Sequence, residues 1–298
     1  MLQANTSYNI IAIKNVLAKK VKQIFTLLIF CSTLISATTN KFKSENKELT
    51  KFYVYVPPKE WGHKGFYISS IEVTNKQYKD FLNDLKAKGE VDKLKLAKVD
   101  TSNWLSIIRY NEPAAFEEDY FQHPAYSGYP VVNISKKGAL LYCEWLTQKY
   151  NATAKIKVRF DLPTEEQWVQ AAKGGDSTAR YPWKGDSITY QKRGKWYKQD
   201  LANYRHKMNF PTTMTLPHND FANITTPSFS YMPNAYGIYN MAGNVAELLA
   251  DKDYTKGGSW YSTSDMISIT SIEEYAAPAG NKPYIGFRPV MTMIKQDN

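Results

Sequence analysis

The sequence predicts an α+β domain with few helices, short strands and much irregular backbone. Three observations point there. Three capped, amphipathic helical segments fall before residue 175. From residue 176 onward the chain is short apolar runs broken by Gly and Pro. Aromatics reach 14% within a hydrophobic content of 43%, which suits flat rings buried under irregular backbone.

Taken in order, residues 52–56 alternate as a strand does and end at Pro57 and Pro58. A second short strand is expected over 65–69. Thr74, with Gln77 three residues on, forms a capping box ahead of an apolar stripe of Tyr78, Phe81, Leu82 and Leu85. Residues 87–125 mix lysine with leucine and read as an insertion with a helical piece at most. Residues 130–134 (PVVNI) read as a buried strand. Ser135 caps a second helix, with Ala139, Tyr142, Cys143, Leu146 and Tyr150 on one face. Thr164 and Gln167 open a third, carrying Trp168, Ala171 and Ala172 and stopped by Gly174 and Gly175.

The first 37 residues read as a signal peptide. Lys14, Lys19, Lys20 and Lys22 precede an apolar run over 24–35, and no acid occurs before Glu45. Ala37 offers a small-residue cleavage point. Residues 38–50 form a polar linker, and 51–298 a single domain. The chain is therefore expected to be exported, to a periplasm or cell surface, with outer-membrane association as an option. Membrane attachment requires either lipidation at Cys31 or an uncleaved signal. The formal charge of +10 falls to about +6 without the four leader lysines. No basic stripe is interleaved with aromatics, which argues against nucleic acid as a partner. Cleavage leaves Cys143 as the lone cysteine, so no internal disulfide forms.

Several segments, in order, carry a resemblance. They are FYISSIEVTN at 66–75, PVVN at 130–133 with YCEWL at 142–146, and RFDLPTEEQW at 159–168 running into AAKGG. YPW at 181–183, NAYGIYNMAGNVAE at 234–247, GGSW at 257–260 and IGFR at 285–288 follow. Over roughly residues 48–294 the chain resembles the formylglycine-generating enzyme, or sulfatase-modifying factor, family. The resemblance implies an irregular, C-type-lectin-like fold. Residues 110–132 are also similar to the gliding-motility and type IX secretion lipoproteins, which carry this domain as a non-catalytic module. Read as residues alone, Glu72, Arg159, Glu165 and Arg288 suit buried or half-buried ion pairs or helix-end hydrogen bonds, and Trp168, Trp183 and Trp260 suit core. His123-Pro124 can equally be a loop turn.

The resemblance further implies calcium. One set matches Asn240 (side chain), Gly243 and Val245 (carbonyls) and Glu247 (carboxylate). A second matches Asn203 (side chain), Tyr204 (carbonyl), Asp220 (side chain) and Ala222 (carbonyl). Calcium takes six to eight hard oxygens, and each set supplies four with one formal negative charge. The alternative is that these Asn and Asp residues close Asx turns. In active relatives two cysteines, five residues apart, follow the GGS-aromatic motif and hold copper. Here Ser262 and Ile267 stand in those places. Neither offers the thiolate that Cu(I) prefers, so copper is not expected. His63, His123, His206 and His218 are scattered, without metal-site spacing.

The functional expectation is a non-catalytic binding or scaffold module. Its partner would be another envelope protein, or a glycan or peptide held in a surface groove. The rival is an enzyme, a divergent metal-dependent oxidase of the formylglycine-generating type. The segment 261–271 discriminates them, because an oxidase needs metal ligands converging there.

Overall fold

The computed structural model describes residues 51–59, 64–107, 113–191, 198–206, 224–274 and 281–294. The expected signal peptide and linker, with His63 and His218, lie outside the described residues, as do Asp220 and Ala222. Among the described residues no helix is long and apolar enough to cross a membrane.

The first sheet is built from β1 (Tyr53–Val56), β2 (Phe66–Ser69), β3 (Val158–Asp161) and the C-terminal strand β10 (Val290–Met293). Its order is β1-β2-β10-β3, all antiparallel, with Val56 opposite Phe66, Val290 opposite Ile68 and Met293 opposite Val158. Helix α1 (Asn75–Ala87) starts where expected. The Thr74 hydroxyl accepts from the Gln77 amide, and the Gln77 side chain accepts from the Thr74 amide at 2.9 Å.

The 87–125 region departs from the expectation of little structure. It holds α2 (Val91–Ala97), α3 (Trp104–Ile107) and α4 (Pro113–Gln122). Tyr78 donates to the Ala97 carbonyl at 2.9 Å, which anchors the end of α2 against α1. Trp104 and Tyr120 are buried with ring centroids 4.9 Å apart. Long-range aromatic packing, rather than an amphipathic period, organises this stretch. His123 is a turn residue, its Nδ1 accepting from the Ala125 amide.

Residues 130–134 are buried, as expected, but do not join a ladder beyond one bridge between Thr74 and Pro130. Asn133 has φ +59°, which breaks the extended run. Helix α5 (Lys136–Asn151) is capped by Ser135 and buries Tyr142 and Cys143, while Leu146 and Tyr150 are half-buried. Helix α6 (Glu165–Lys173) has the Thr164–Gln167 capping box and ends at Gly174, φ +59°.

Beyond α6 lie the short ladder β4 (Thr189–Gln191) with β5 (Lys198–Asp200) and a second sheet. That sheet orders β8 (Ile272–Glu274), β7 (Tyr254–Lys256), β6 (Ala246–Glu247) and β9 (Ile285–Gly286), with β6 and β9 parallel. A core of Ile68, Trp168, Ala171, Met241, Leu249, Ile269 and Val290 joins the two sheets through α6. A second aromatic group stacks Tyr78 and Phe81 of α1 on Tyr142 of α5 and on Phe287.

Candidate functional site

The loop 234–247 is shaped by its asparagines. Asn234 donates to the carbonyls of Ala171 and Ala172 at the end of α6, and its own oxygen accepts from the amides of Tyr236 and Ile238. Asn240 and Asn244 adopt left-handed φ of +53° and +63°, a conformation asparagine tolerates better than most residues. Gly243 is held by space as well as by φ. A Cβ there would sit 2.2 Å from the Asn203 carbonyl oxygen.

These turns deliver polar side chains into the interior. Glu72 is fully buried and accepts from Asn240 at 3.1 Å and from Asn244 at 2.9 Å. Burial pushes its carboxyl up to about 7, with Glu247 adding to the rise while Arg288 and the Asn244 amide oppose it. Glu247 and Arg288 are also buried and form a bidentate pair at 2.7–2.9 Å. Arg288 donates further to the carbonyls of Ser69 and Tyr239, and Trp168 donates to Glu247 at 2.8 Å. Burial works against the guanidinium's charge, yet Glu247 outweighs it and holds the Arg288 pKa above its usual value. Glu165 is half-buried at the start of α6 and faces Lys256 at 3.8 Å. Arg159, expected inside, is instead a surface residue paired with Asp161 at 2.6 Å. It occupies the outward register of β3, where alternation leaves it in water.

The segment after GGSW is packed shut. A Cβ on Gly258 would lie 2.6 Å from the Met266 carbonyl oxygen and 2.9 Å from Ile267 Cγ2. The Ser262 hydroxyl accepts from the Ser259 amide at 2.9 Å and meets the Ser259 hydroxyl at 3.0 Å. Ile267 is fully buried with Tyr181, Ala202, Tyr204 and Ala242. Further on, Ser268 bonds Ser271 at 2.7 Å and Thr270 at 3.2 Å. Trp168 and Trp260 are core, and Trp183 is half-buried, stacked on Tyr181 at 5.1 Å.

Over residues 32–293 the chain matches the family described as sulfatase-modifying factor enzyme 1-like domain. The chain belongs to this family. It is similar to the formylglycine-generating enzyme of Thermomonospora curvata, 37% identical over 41% of this chain and 33% of that protein, about a third of its length. It is also similar to the inactive C-alpha-formylglycine-generating enzyme 2 of Bos taurus, 27% identical over 70% of each chain. Among solved structures, PvdO from Pseudomonas aeruginosa shares the fold, with a TM-score of 0.51 over 80% of this chain and 90% of that one at 23% identity. Mixed helices and small sheets in this arrangement accord with the family's C-type-lectin-like architecture.

Within this sulfatase-modifying factor domain, Asn203 of one set that the resemblance links to calcium lies against the Gly243 turn of the other, while Asp220 and Ala222 lie outside the described residues. The Asn244 amide donates to the Asn203 carbonyl at 2.8 Å, and the Asn203 side chain donates to the carbonyl of Ile224 at 2.9 Å. Tyr204 is buried, its hydroxyl donating to Asp200 at 3.0 Å. Asn240 Oδ1 is a buried oxygen without a hydrogen-bond partner, which fits a hard cation. Gly243 and Val245 lie on the same turn. Glu247 fits less well, because Arg288 and Trp168 already supply two donors to each of its oxygens. Asn244 was not singled out from the sequence, although it bonds Glu72, Thr226 and Trp260 together. Its position between Gly243 and Val245 was the available signal. A groove of about 310 Å³ beside Pro57, Val169, Gln170 and Tyr236 shares no residue with the 257–269 segment.

Proposed function

We propose that this chain is an exported, non-catalytic binding or scaffold module of the sulfatase-modifying factor family, stabilised by calcium and acting in the cell envelope. One observation carries the reading. The two positions where active relatives place copper-holding thiolates are filled by a hydrogen-bonded hydroxyl at Ser262 and a buried alkyl side chain at Ile267. A serine hydroxyl stays protonated at neutral pH and isoleucine has no donor atom. Cys143 is no substitute, since it is buried on α5 and burial pushes its thiol well above the ordinary value. The inactive bovine relative supports the same direction.

The test is incubation with copper, oxygen and a cysteine-containing sulfatase peptide, followed by mass spectrometry. No aldehyde above a no-protein control is expected, and turnover would overturn the reading. Restoring both thiols with Ser262→Cys and Ile267→Cys is expected to recover copper binding, read by a copper(I) competition dye.

Calcium in this proposal is held by Asn240, Gly243 and Val245, with Asn203 close by, and supplies cross-linking of the loops rather than chemistry. Chelation is expected to lower the melting temperature, equivalent to about 1–3 kcal/mol at saturating ion. Asn240→Ala should abolish that response. A chelator-insensitive melting curve in the unsubstituted protein sinks the calcium part alone.

A further inference from the structure

Two arginines flank the segment that replaced the copper site. The Arg205 amide donates to the Ser262 carbonyl at 2.8 Å, and Arg205 bridges Thr263 in parallel. At the other end, the Ile269 amide donates to the Arg180 carbonyl at 2.9 Å. The backbones of both arginines are thus fixed to opposite ends of 262–269. Both side chains are exposed, and neither forms an ion pair among the described residues. Each guanidinium is braced on a tyrosine instead. Arg205 lies 4.7 Å from the centroid of Tyr261, and Arg180 lies 5.4 Å from that of Tyr181.

The bracing tyrosines are themselves stacked. Tyr261 is near-parallel to Tyr284 at 5.3 Å, and Tyr181 is parallel to Trp183 at 5.1 Å with an interplanar angle of 2°. Each tyrosine ring therefore has two stacking neighbours, which leaves little aromatic face for a sugar ring. What remains presented is a pair of flat, pre-oriented guanidinium forks. A planar fork matches a carboxylate bidentately, and stacking lowers the entropy lost when it binds.

We propose that Arg180 and Arg205 form a receptor for carboxylate side chains of an acidic peptide segment on a partner protein, laid across the closed 262–269 segment. This rests on the non-catalytic reading above and names its partner chemistry. The site binds without transforming: two ion pairs form and no covalent bond changes. The net positive charge of the chain favours the same encounter.

The experiment uses the full mature chain and a fluorescein-labelled deca-glutamate peptide, followed by anisotropy at low salt. Arg205→Gln and Arg180→Gln are each expected to weaken binding roughly tenfold, and Arg205→Lys nearly as much, because lysine keeps the charge but loses the fork. Arg159→Gln, on β3, is expected to change it less than about twofold. All three positions are exposed, so melting temperatures should not move. Equal losses at Arg159 and Arg205, or no binding by the unsubstituted chain, overturn the proposal. So does tighter, arginine-dependent binding of labelled polygalacturonate, which would make the partner an acidic glycan. Failure of peptide binding without aldehyde formation sinks this inference alone, whereas aldehyde formation sinks the non-catalytic reading.

Discussion

The Glu247–Arg288 centre and the 259–269 segment lie close in the fold and solve burial in opposite ways. The first buries full charges and satisfies them with a bidentate pair, two carbonyls and an indole, while the neighbouring Glu72 is held by two asparagine amides. The second buries no charge; it closes with hydroxyls bonded to one another and with an isoleucine in an apolar pocket. Buried charges fix one geometry because each alternative leaves an ion unpaired. Neutral hydroxyls and alkyl groups tolerate exchange. The scaffold of the family thus persists here, and Ser262 and Ile267 are packed into the segment that follows GGSW.

Substitutions can break that contrast in order of cost. Arg288→Met is expected to destabilise by about 3–5 kcal/mol, by leaving Glu247 buried and unpaired. Adding Glu247→Leu to it should recover much of the loss in urea unfolding. If the double variant is as unstable as the single one, the charges do more than balance each other. Ile267→Ala is expected to cost about 2–4 kcal/mol through a cavity beside Tyr181 and Tyr204, and Ile267→Val about 1 kcal/mol. A cost under that for Ile267→Ala would show the segment to be loosely packed.

A pH series sharpens the comparison. Glu72 has its carboxyl raised from 4.5 to about 7, so the folded protein retains a proton that the unfolded chain releases. That contribution to stability is complete below pH 4.5 and is lost as pH rises toward 7. Melting temperature measured with chelator present should therefore fall across this window, and Glu72→Gln should flatten the fall. Ser262→Ala is the mildest change, expected to cost about 1 kcal/mol because the Ser259 amide loses an acceptor.

Legibility in the sequence followed the range of the forces involved. Both capping boxes and the Gly174 stop were readable because every atom involved lies within a few residues. The helices of 91–122 were not, since Trp104 and Tyr120 are buried against Trp260 and Val132 from distant segments. Arg159 was misplaced because its motif is apolar on average, while strand alternation decides the individual residue. The candidate site divided in the same way. Ser262 and Ile267 could be aligned by motif order. The centrality of Asn244 depends on a left-handed turn and on partners 172 and 18 residues away, as Glu72 and Thr226 are.

The order of strands in the first sheet has a consequence for how the chain reaches this state. β10 pairs with both β2 and β3, so the middle of the sheet is supplied by the last of the described strands. While the chain emerges from a ribosome, β2 and β3 each wait with an open edge for residues 290–293. Arg288, which donates to the Ser69 carbonyl, arrives at the same moment as the counter-charge for Glu247. Closure of the sheet and neutralisation of the buried carboxylate are therefore one late event. The nascent chain has neither until residues 288–293 have been made.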